Sequence, residues 1–198
     1  IAFVVALALE QWRPLDLVRT VHAWLSAWAA WLEQAFNVGE RRHGMVAWLV
    51  AVLPPFAAVI LIHQLLASAH FLLAAAFNVA ALYFTLGFRQ FSHHFTEIQL
   101  AVKSGDVERA RQLLEEWRGA SGVVRAREEV IRLSIEEALV ASHRHVFGVL
   151  LWYVLLGPGG AVLYRLAAFL DQRWKTLGGF GRFAGRAFQL LEWPAVRL

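Results

Sequence analysis

The sequence predicts an all-α fold, namely a polytopic membrane helix bundle with a small cytoplasmic helical module and a re-entrant helical hairpin. Of its 198 residues, 59% are hydrophobic and only 17% are charged, whereas soluble domains have about 45–50% apolar and about 25% charged residues. Residues 45–88 contain no Asp, Glu, Lys or Arg. A second apolar stretch, residues 146–170, is interrupted by the glycines and proline of 157–160. These observations indicate a chain that folds in a bilayer.

Two segments precede the first apolar region. Residues 1–9 are apolar but too short to cross a bilayer, which requires about 20 residues, so we expect the end of a first transmembrane helix. Residues 10–44 predict an amphipathic segment at the membrane surface. Trp24, Trp28 and Trp31 recur there at helical spacing, and indole rings favour the interface. Packing of these rings on the protein itself is the alternative.

Residues 45–88 are predicted to form two transmembrane helices. At a rise of about 1.5 Å per residue, this stretch is longer than one crossing needs and long enough for two. We expect the join near His70. We also expect a kink at Pro54 and Pro55, because proline lacks the backbone N–H that a helix uses.

Residues 89–145 form a long hydrophilic stretch and predict a three-helix cytoplasmic module. Gly105 and Asp106 separate the first two helices, with Asp106 as a candidate N-cap, and a turn at 119–122 follows the second. The apolar positions expected in its core are Phe91, Phe95, Ile98 and Val102 in the first helix, Val107, Ala110, Leu113, Leu114 and Trp117 in the second, and Val124, Ile131, Ile135 and Leu139 in the third.

Residues 146–170 are predicted to enter the membrane, turn at 157–160 and return. The following tail, residues 171–198, is basic, and basic segments favour the cytoplasmic side of a membrane. A single full crossing would put this tail on the side opposite the predicted module, whereas a re-entrant hairpin keeps both on one side. A full crossing with a flexible break is the alternative.

Two polar clusters belong to the predicted module. In the first, His93, His94 and Glu97 fall within one helical turn of one another. A metal ion would need a third and a fourth ligand; otherwise these are polar residues at a membrane boundary. The candidates for the further ligands are Glu136, Glu137, His143 and His145.

The second cluster is His143, Arg144 and His145, which opens the apolar segment. Positive charge together with the free amides of a helix N-terminus would bind an anion such as a phosphate or a nucleotide tail. Anchoring to anionic lipid headgroups is the alternative. The sequence has no Cys and a net charge of +4, so thiol chemistry is excluded. The lack of a basic–aromatic module in the sequence argues against nucleic acid as a partner.

Several motifs resemble the CobD/CbiB family of cobalamin-biosynthesis membrane proteins. GDVERARQLL at 105–114 is similar to the GDLxxAR segment of that family, and LWYVLLGPGGAVLYRL at 151–166 is similar to its LFWxxLGGxPGAxxYR segment. LEWPAVRL at 191–198 is similar to its WxPARL stretch. Arg13-Pro14, Glu33 and 41–44 follow the family's N-terminal layout. The resemblance covers nearly the whole chain and implies a further membrane segment after residue 198.

The chain departs from the family where its synthases carry acidic and amide residues. The ENxSDG-type motif is replaced by VASHRH at 140–145, the GRDT stretch is missing, and the Asn of the NTLD stretch is Ala168. The resemblance implies that a synthase, which joins an amino-alcohol phosphate to a corrinoid carboxylate, uses ATP and Mg²⁺. Loss of carboxylates would disable Mg²⁺ binding. The remaining candidate metal ligands are Glu136, Glu137 and Asp171.

These departures make the chain resemble the AmpE-like branch of the superfamily, which is linked to β-lactamase induction and cell-wall signalling. We therefore expect a sensory, regulatory or accessory protein of the bacterial inner membrane, not an enzyme, that binds a nucleotide or a lipid phosphate. An adenosylcobinamide-phosphate synthase, and a structural subunit of a larger membrane complex, are the alternatives. Partners beyond the lipid bilayer would be other membrane proteins or further copies of the chain. The residues expected to bind the anionic ligand are His93, His94, Glu97, His143, Arg144 and His145.

Overall fold

The computed structural model describes residues 6, 17–36, 41–86, 88–118 and 126–197, with the backbone alone at 17–20, 22, 41 and 88–93. Within these residues the regular elements are helices, which confirms the predicted all-α fold. They are α1 (Leu17–Phe36), α2 (Arg41–Ala69), α3 (Phe71–Thr85), α4 (Phe88–Lys103), α5 (Val107–Arg118), α6 (Arg127–Ser142), a π-helical segment (His143–Phe147), α7 (Gly148–Trp174) and α8 (Arg182–Arg197).

The chain divides into two compact units. The first unit comprises Ile1–Leu86 and Phe147–Leu198, and the second comprises Gly87–Val146. The predictions for residues 1–9 (apart from Ala6), for the turn at 119–122 and for Val124 lie outside the described residues. The predicted segment boundaries and their positions relative to a membrane stay predictions.

The first unit contains two helices joined at the predicted place. Helix α2 ends at Ala69, and the His70 side chain accepts a hydrogen bond from the Leu72 N–H at 3.2 Å, which caps the start of α3. Helix α2 has 29 residues and passes through Pro54 and Pro55, whereas α3 has 15 residues. Since a crossing takes about 20 residues, the two predicted crossings stay a prediction.

The outer surface of the first unit carries large apolar side chains. Two helical stretches of the described chain, residues 42–69 and 127–174, are long and apolar enough to cross a membrane. Only 22% of the most apolar part of the first stretch is buried, and Leu65 and Phe71 are 68% and 75% exposed. The core helix of a soluble protein would be mostly buried. The exposure therefore supports a membrane location for the chain.

The tryptophans of α1 stack on one another along the helix. The ring centroids of Trp24 and Trp28 are 6.2 Å apart, and those of Trp28 and Trp31 are 5.4 Å apart. Trp24 and Trp31 are exposed while Trp28 is half-buried. The stack presents two indole rings outward, as an interfacial helix would, and the predicted interfacial location stays a prediction.

Helix α7 folds back on itself at Gly157, where φ is 66° and ψ is −155°. This backbone conformation is essentially restricted to glycine. Gly148 lies against the Tyr164 ring and Gly160 against the Trp152 carbonyl, so that a methyl group at either glycine would overlap its neighbour. Along a straight helix these pairs would lie about 24 and 12 Å apart. The two arms therefore run antiparallel as a helical hairpin, and its re-entry into a membrane stays a prediction.

The second unit buries an apolar core between α4, α5 and α6. Gly105, with φ of 82°, ends α4, and the Asp106 carboxylate accepts a hydrogen bond from the Arg109 N–H at 2.9 Å. The predicted N-cap is confirmed by this bond. The buried core residues are Ile98, Ala101, Val102, Ala110, Leu113, Leu114 and Val130.

The apolar face predicted for α6 is wrong. Ile131, Ile135 and Leu139 are exposed, with Leu139 reaching 66%. The buried side of α6 carries smaller residues. One of them is Ser134, whose hydroxyl donates a hydrogen bond to the Ile131 carbonyl at 2.8 Å. This internal bond lets a polar residue occupy a buried position that periodicity alone assigns to apolar ones. The buried residues of α6 are Val130, Ser134 and Ala141.

Candidate functional site

Both predicted polar clusters lie in the second unit. Helix α4 carries His93, whose side chain is outside the described part, together with His94 and Glu97, which are both half-buried. The His94 ring stacks on Trp117 of α5, with centroids 5.9 Å apart. This contact ties the imidazole to the core of the unit.

The second cluster forms most of the π-helical segment. His143, Arg144 and His145 are half-buried, and each makes an interaction with its surroundings. Helical backbone continues from α6 through the π-helical segment into the first arm of α7, and the His143 N–H donates to the carbonyls of Leu139 and Val140. The expected free helix N-terminus at this position is therefore wrong, because α6 continues through it. The side chains remain candidates, since π-helical turns occur frequently at functional sites.

The candidate metal ligands are not brought together within the second unit. Glu136 is exposed, and Glu137 lies 3.7 Å from the Arg118 guanidinium. Asp171 is half-buried on α7 of the first unit. Among the described residues, no group of three or more His, Asp or Glu side chains has a metal-binding arrangement. As placed, these residues do not fit an Mg²⁺ site, and their assignment as ligands stays a prediction.

A carboxylate of α1 links that helix to the end of α7. One oxygen of Glu33 accepts a hydrogen bond from Arg173 Nε at 2.6 Å and another from Trp174 Nε1 at 2.9 Å. Trp174 is fully buried. The charge of Glu33 is thus neutralised by a guanidinium, and its geometry is fixed by a buried indole.

A basic pocket opens where α2 and α8 begin. It has a volume of about 200 Å³, and we call it the basic groove. Gly44 of α2 lies against the backbone carbonyl of Phe180, so closely that a methyl group there would overlap it. This contact holds the start of α2 beside the turn that precedes α8. The residues lining the groove are Arg42, Met45, Arg182, Phe183 and Arg186.

Sequence reasoning missed the basic groove. It noted Arg182 and Arg186 only as part of a basic tail, although their spacing of four residues places them on one helix face. Arg42 lies far away in the sequence. Only the folded chain brings it beside the other two.

The exposed apolar helices, the folded-back α7 and the separate polar unit together define a class, the helical membrane proteins. The sequence profile of a family described as CobD/Cbib protein matches residues 2–198 of this chain. The chain belongs to the CobD/CbiB family, as its motifs indicated.

Two relatives carry the same name. "Cobalamin biosynthesis protein CobD" of Stutzerimonas stutzeri (strain A1501) is 32% identical over 175 residues, covering 84% of this chain and 56% of that protein. "Cobalamin biosynthesis protein CobD" of Chromobacterium violaceum is 36% identical over 126 residues, covering 61% of this chain and 40% of that protein. The chain thus spans about half the length of the curated relatives it matches. No solved structure matches it.

These comparisons correct the functional prediction. A sensory or regulatory role was expected because basic residues replace the acidic motif at 140–145. Both relatives are instead named for cobalamin biosynthesis, and the AmpE-like branch receives no support from them. The prediction failed because it gave three local departures, at 140–145, in the missing GRDT stretch and at Ala168, more weight than a resemblance that extends over 2–198.

Proposed function

We propose that this chain is part of an adenosylcobinamide-phosphate synthase of cobalamin biosynthesis. Such an enzyme forms an amide bond between the amine of an amino-alcohol phosphate and a carboxylate of a corrinoid. The family match over residues 2–198 carries the proposal. Two relatives named for cobalamin biosynthesis support it.

The reaction requires a group that accepts a proton and a group that binds a phosphate, and side chains of the second unit are suited to both tasks. The amine must lose a proton to attack the activated carboxylate, and imidazole transfers protons well near neutral pH. The phosphate of the amino alcohol needs positive charge, which Arg144 supplies. We assign these tasks to His94, Glu97 and the cluster His143–His145, all half-buried in this unit.

The cosubstrate implied by the family is ATP, which supplies the leaving group on the activated carboxylate. The chain's own polar groups would orient the amine and exclude water from that carboxylate. We further propose that the chain is a multi-pass protein of the bacterial inner membrane with its second unit in the cytoplasm, where ATP is found. The apolar surface of the first unit and the charged helices of the second support this placement.

Product formation by the full-length protein tests the proposal. The protein in detergent receives a corrinoid acid, an amino-alcohol phosphate, ATP and Mg²⁺, and mass spectrometry follows the amide product. We expect an ATP-dependent product whose mass equals the two substrates minus one water. Failure to form it, while the purified Stutzerimonas stutzeri relative forms it under the same conditions, would refute the proposal.

A pair of matched variants locates the chemistry. His145→Ala removes an imidazole from the π-helical cluster and is expected to lower kcat about 100-fold, the usual effect of losing a proton-transfer group. His70→Ala is the control, because His70 caps α3 in the first unit. Equal rates in the two variants would remove the cluster from the proposed chemistry while leaving the synthase proposal to the product assay.

A further inference from the structure

The basic groove brings together three arginines of the first unit, and the nearest described carboxylate is that of Asp171, which lies beside Gly185. Arg42, Arg182 and Arg186 are exposed, and none of them belongs to the ion pairs found among the described residues. Arg182 and Arg186 are four positions apart on α8, where like charges destabilise a helix. The fold therefore keeps three mutually repelling charges at one pocket.

Aromatic contacts hold the walls of the basic groove in place. Its floor includes Phe183, whose ring packs edge-on against Trp48 of α2 at 5.6 Å between centroids. Just before α8, Phe180 packs edge-on against the buried Trp174 at 4.9 Å. These contacts fix the two sides of the groove relative to each other. An apolar floor also strengthens electrostatic attraction at the guanidinium groups, because it displaces water from one side.

The volume of the groove limits its ligand. Pockets for drug-sized ligands measure about 300–1,000 Å³, whereas the basic groove measures about 200 Å³. A corrinoid is far larger than this. A single phosphate group fits, and planar guanidinium groups bind phosphate oxygens in pairs.

We propose that the basic groove is a binding site for one phosphate group, carried either by a phosphate monoester in solution or by the headgroup of an anionic lipid. The arginines would neutralise the phosphate, and Met45 and Phe183 would contact the carbon chain attached to it. The inference concerns the first unit and does not depend on the proposed synthase activity.

Two arms of one experiment distinguish the sources. In the first arm, the full-length protein in nanodiscs of phosphatidylcholine is titrated calorimetrically with inorganic phosphate and with glycerol 3-phosphate, a phosphate monoester without the amine of the proposed substrate. In the second arm, nanodiscs contain equal parts of phosphatidylcholine and phosphatidylglycerol, and native mass spectrometry counts the phosphatidylglycerol that the released protein retains.

The experiment compares two triple variants, a groove variant and a control variant, each of which lowers the net charge of the protein by three. The control residues are exposed basic side chains outside the groove. Equal melting temperatures of the two variants show that any loss of binding is not unfolding. If the groove variant melts lower, the single variant Arg186→Gln replaces it. The groove variant is Arg42→Gln, Arg182→Gln and Arg186→Gln, and the control variant is Arg109→Gln, Arg132→Gln and Lys175→Gln.

The groove variant is expected to weaken binding more than about tenfold, and the control variant less than about twofold, because charge-assisted hydrogen bonds are lost only in the former. Loss in the titration assigns the site to a soluble monoester, and loss of retained phosphatidylglycerol alone assigns it to a lipid. Arg186→Lys should fall between the wild type and Arg186→Gln, since an ammonium keeps the charge without the planar fork. Equal losses in the two triple variants, or no binding of any probe by the wild type, would overturn the proposal.

Discussion

The two units of the chain place their large apolar side chains differently. In the second unit, Ile98 and Leu114 are almost completely buried, and charged residues pair on the surface, as Arg111 does with Glu108 at 2.6 Å. In the first unit, Leu61 and Leu65 are exposed, while closely packed glycines such as Gly160 occupy the helix contacts.

This difference is what a lipid-facing first unit and a water-facing second unit would produce. Burial of apolar surface from water explains the core of the second unit, which holds Ile98, Leu113 and Leu114. Lipid gives no such driving force between helices, and in the first unit closely packed glycines lie beside large buried rings such as that of Trp174. The exposed stripe Ile131, Ile135 and Leu139 on α6 departs from this contrast.

The largest expected effect concerns the core of the second unit. Leu114→Ala removes a buried side chain and should lower the free energy of local unfolding by about 3 kcal/mol, because a cavity replaces packed atoms. Hydrogen exchange of α5 amides in the full-length protein measures it. Leu100→Ala is the matched control, since Leu100 is exposed, and should change exchange by less than about 0.5 kcal/mol. Equal changes in hydrogen exchange for Leu114→Ala and Leu100→Ala would contradict an apolar core buried from water in the second unit.

The second prediction tests the apolar surface of the first unit. Leu61→Arg places a charge on the exposed face of α2 and should cost about 3 kcal/mol of membrane insertion. The fraction of protein that resists extraction from membranes by carbonate is measured. Leu100→Arg in the second unit should leave that fraction unchanged. If Leu61→Arg inserts as well as the wild type, this face of α2 does not meet lipid.

The third prediction concerns the link between α1 and α7. Glu33→Ala leaves Trp174 Nε1 and Arg173 without their shared acceptor, and should destabilise the first unit by about 2 kcal/mol because one of these donors belongs to a buried residue. The melting temperature in detergent measures the loss. Gln34→Ala, at an exposed neighbour, should leave the melting temperature close to that of the wild type. A similar drop in both variants would show that the hydrogen bonds contribute nothing specific.

The smallest expected effect concerns the reversal in α7. Gly157→Ala meets no atom within 4 Å, so its cost of about 1–2 kcal/mol would come from the backbone conformation alone. A small decrease in melting temperature is expected. Val154→Ala trims an exposed side chain on the same hairpin and serves as the comparison. An unchanged melting temperature in Gly157→Ala would show that alanine adopts this backbone conformation without a measurable cost.

Much of the fold was predictable because it depends on local chemistry. The join at His70 follows from a polar position near the middle of an apolar run that is long enough for two helices, and the Asp106 cap follows from a short acceptor side chain after a glycine. The apolar face of α6 was not predictable, because periodicity reports which residues share a face and not which face is covered. Ser134 could be buried only because it bonds to its own helix.

The candidate site was less predictable than the fold. His94 and Glu97 were found from their spacing, but the π-helical geometry at His143 depends on α6 continuing into α7. The basic groove was missed, because Arg42 and Arg186 meet only after Gly44 packs on the backbone of Phe180. Contacts between distant segments leave no periodic signal in the sequence.

The division of the chain into units has a consequence for the order of folding during synthesis. The first unit is discontinuous, because Gly87–Val146 is inserted between its two parts. Glu33 leaves the ribosome long before its partners Arg173 and Trp174. The inserted unit uses only its own helices for its core, so it can reach its native state while the first unit still lacks α7 and α8. The Glu33 carboxylate would then remain without these two donors until the last third of the chain is synthesised.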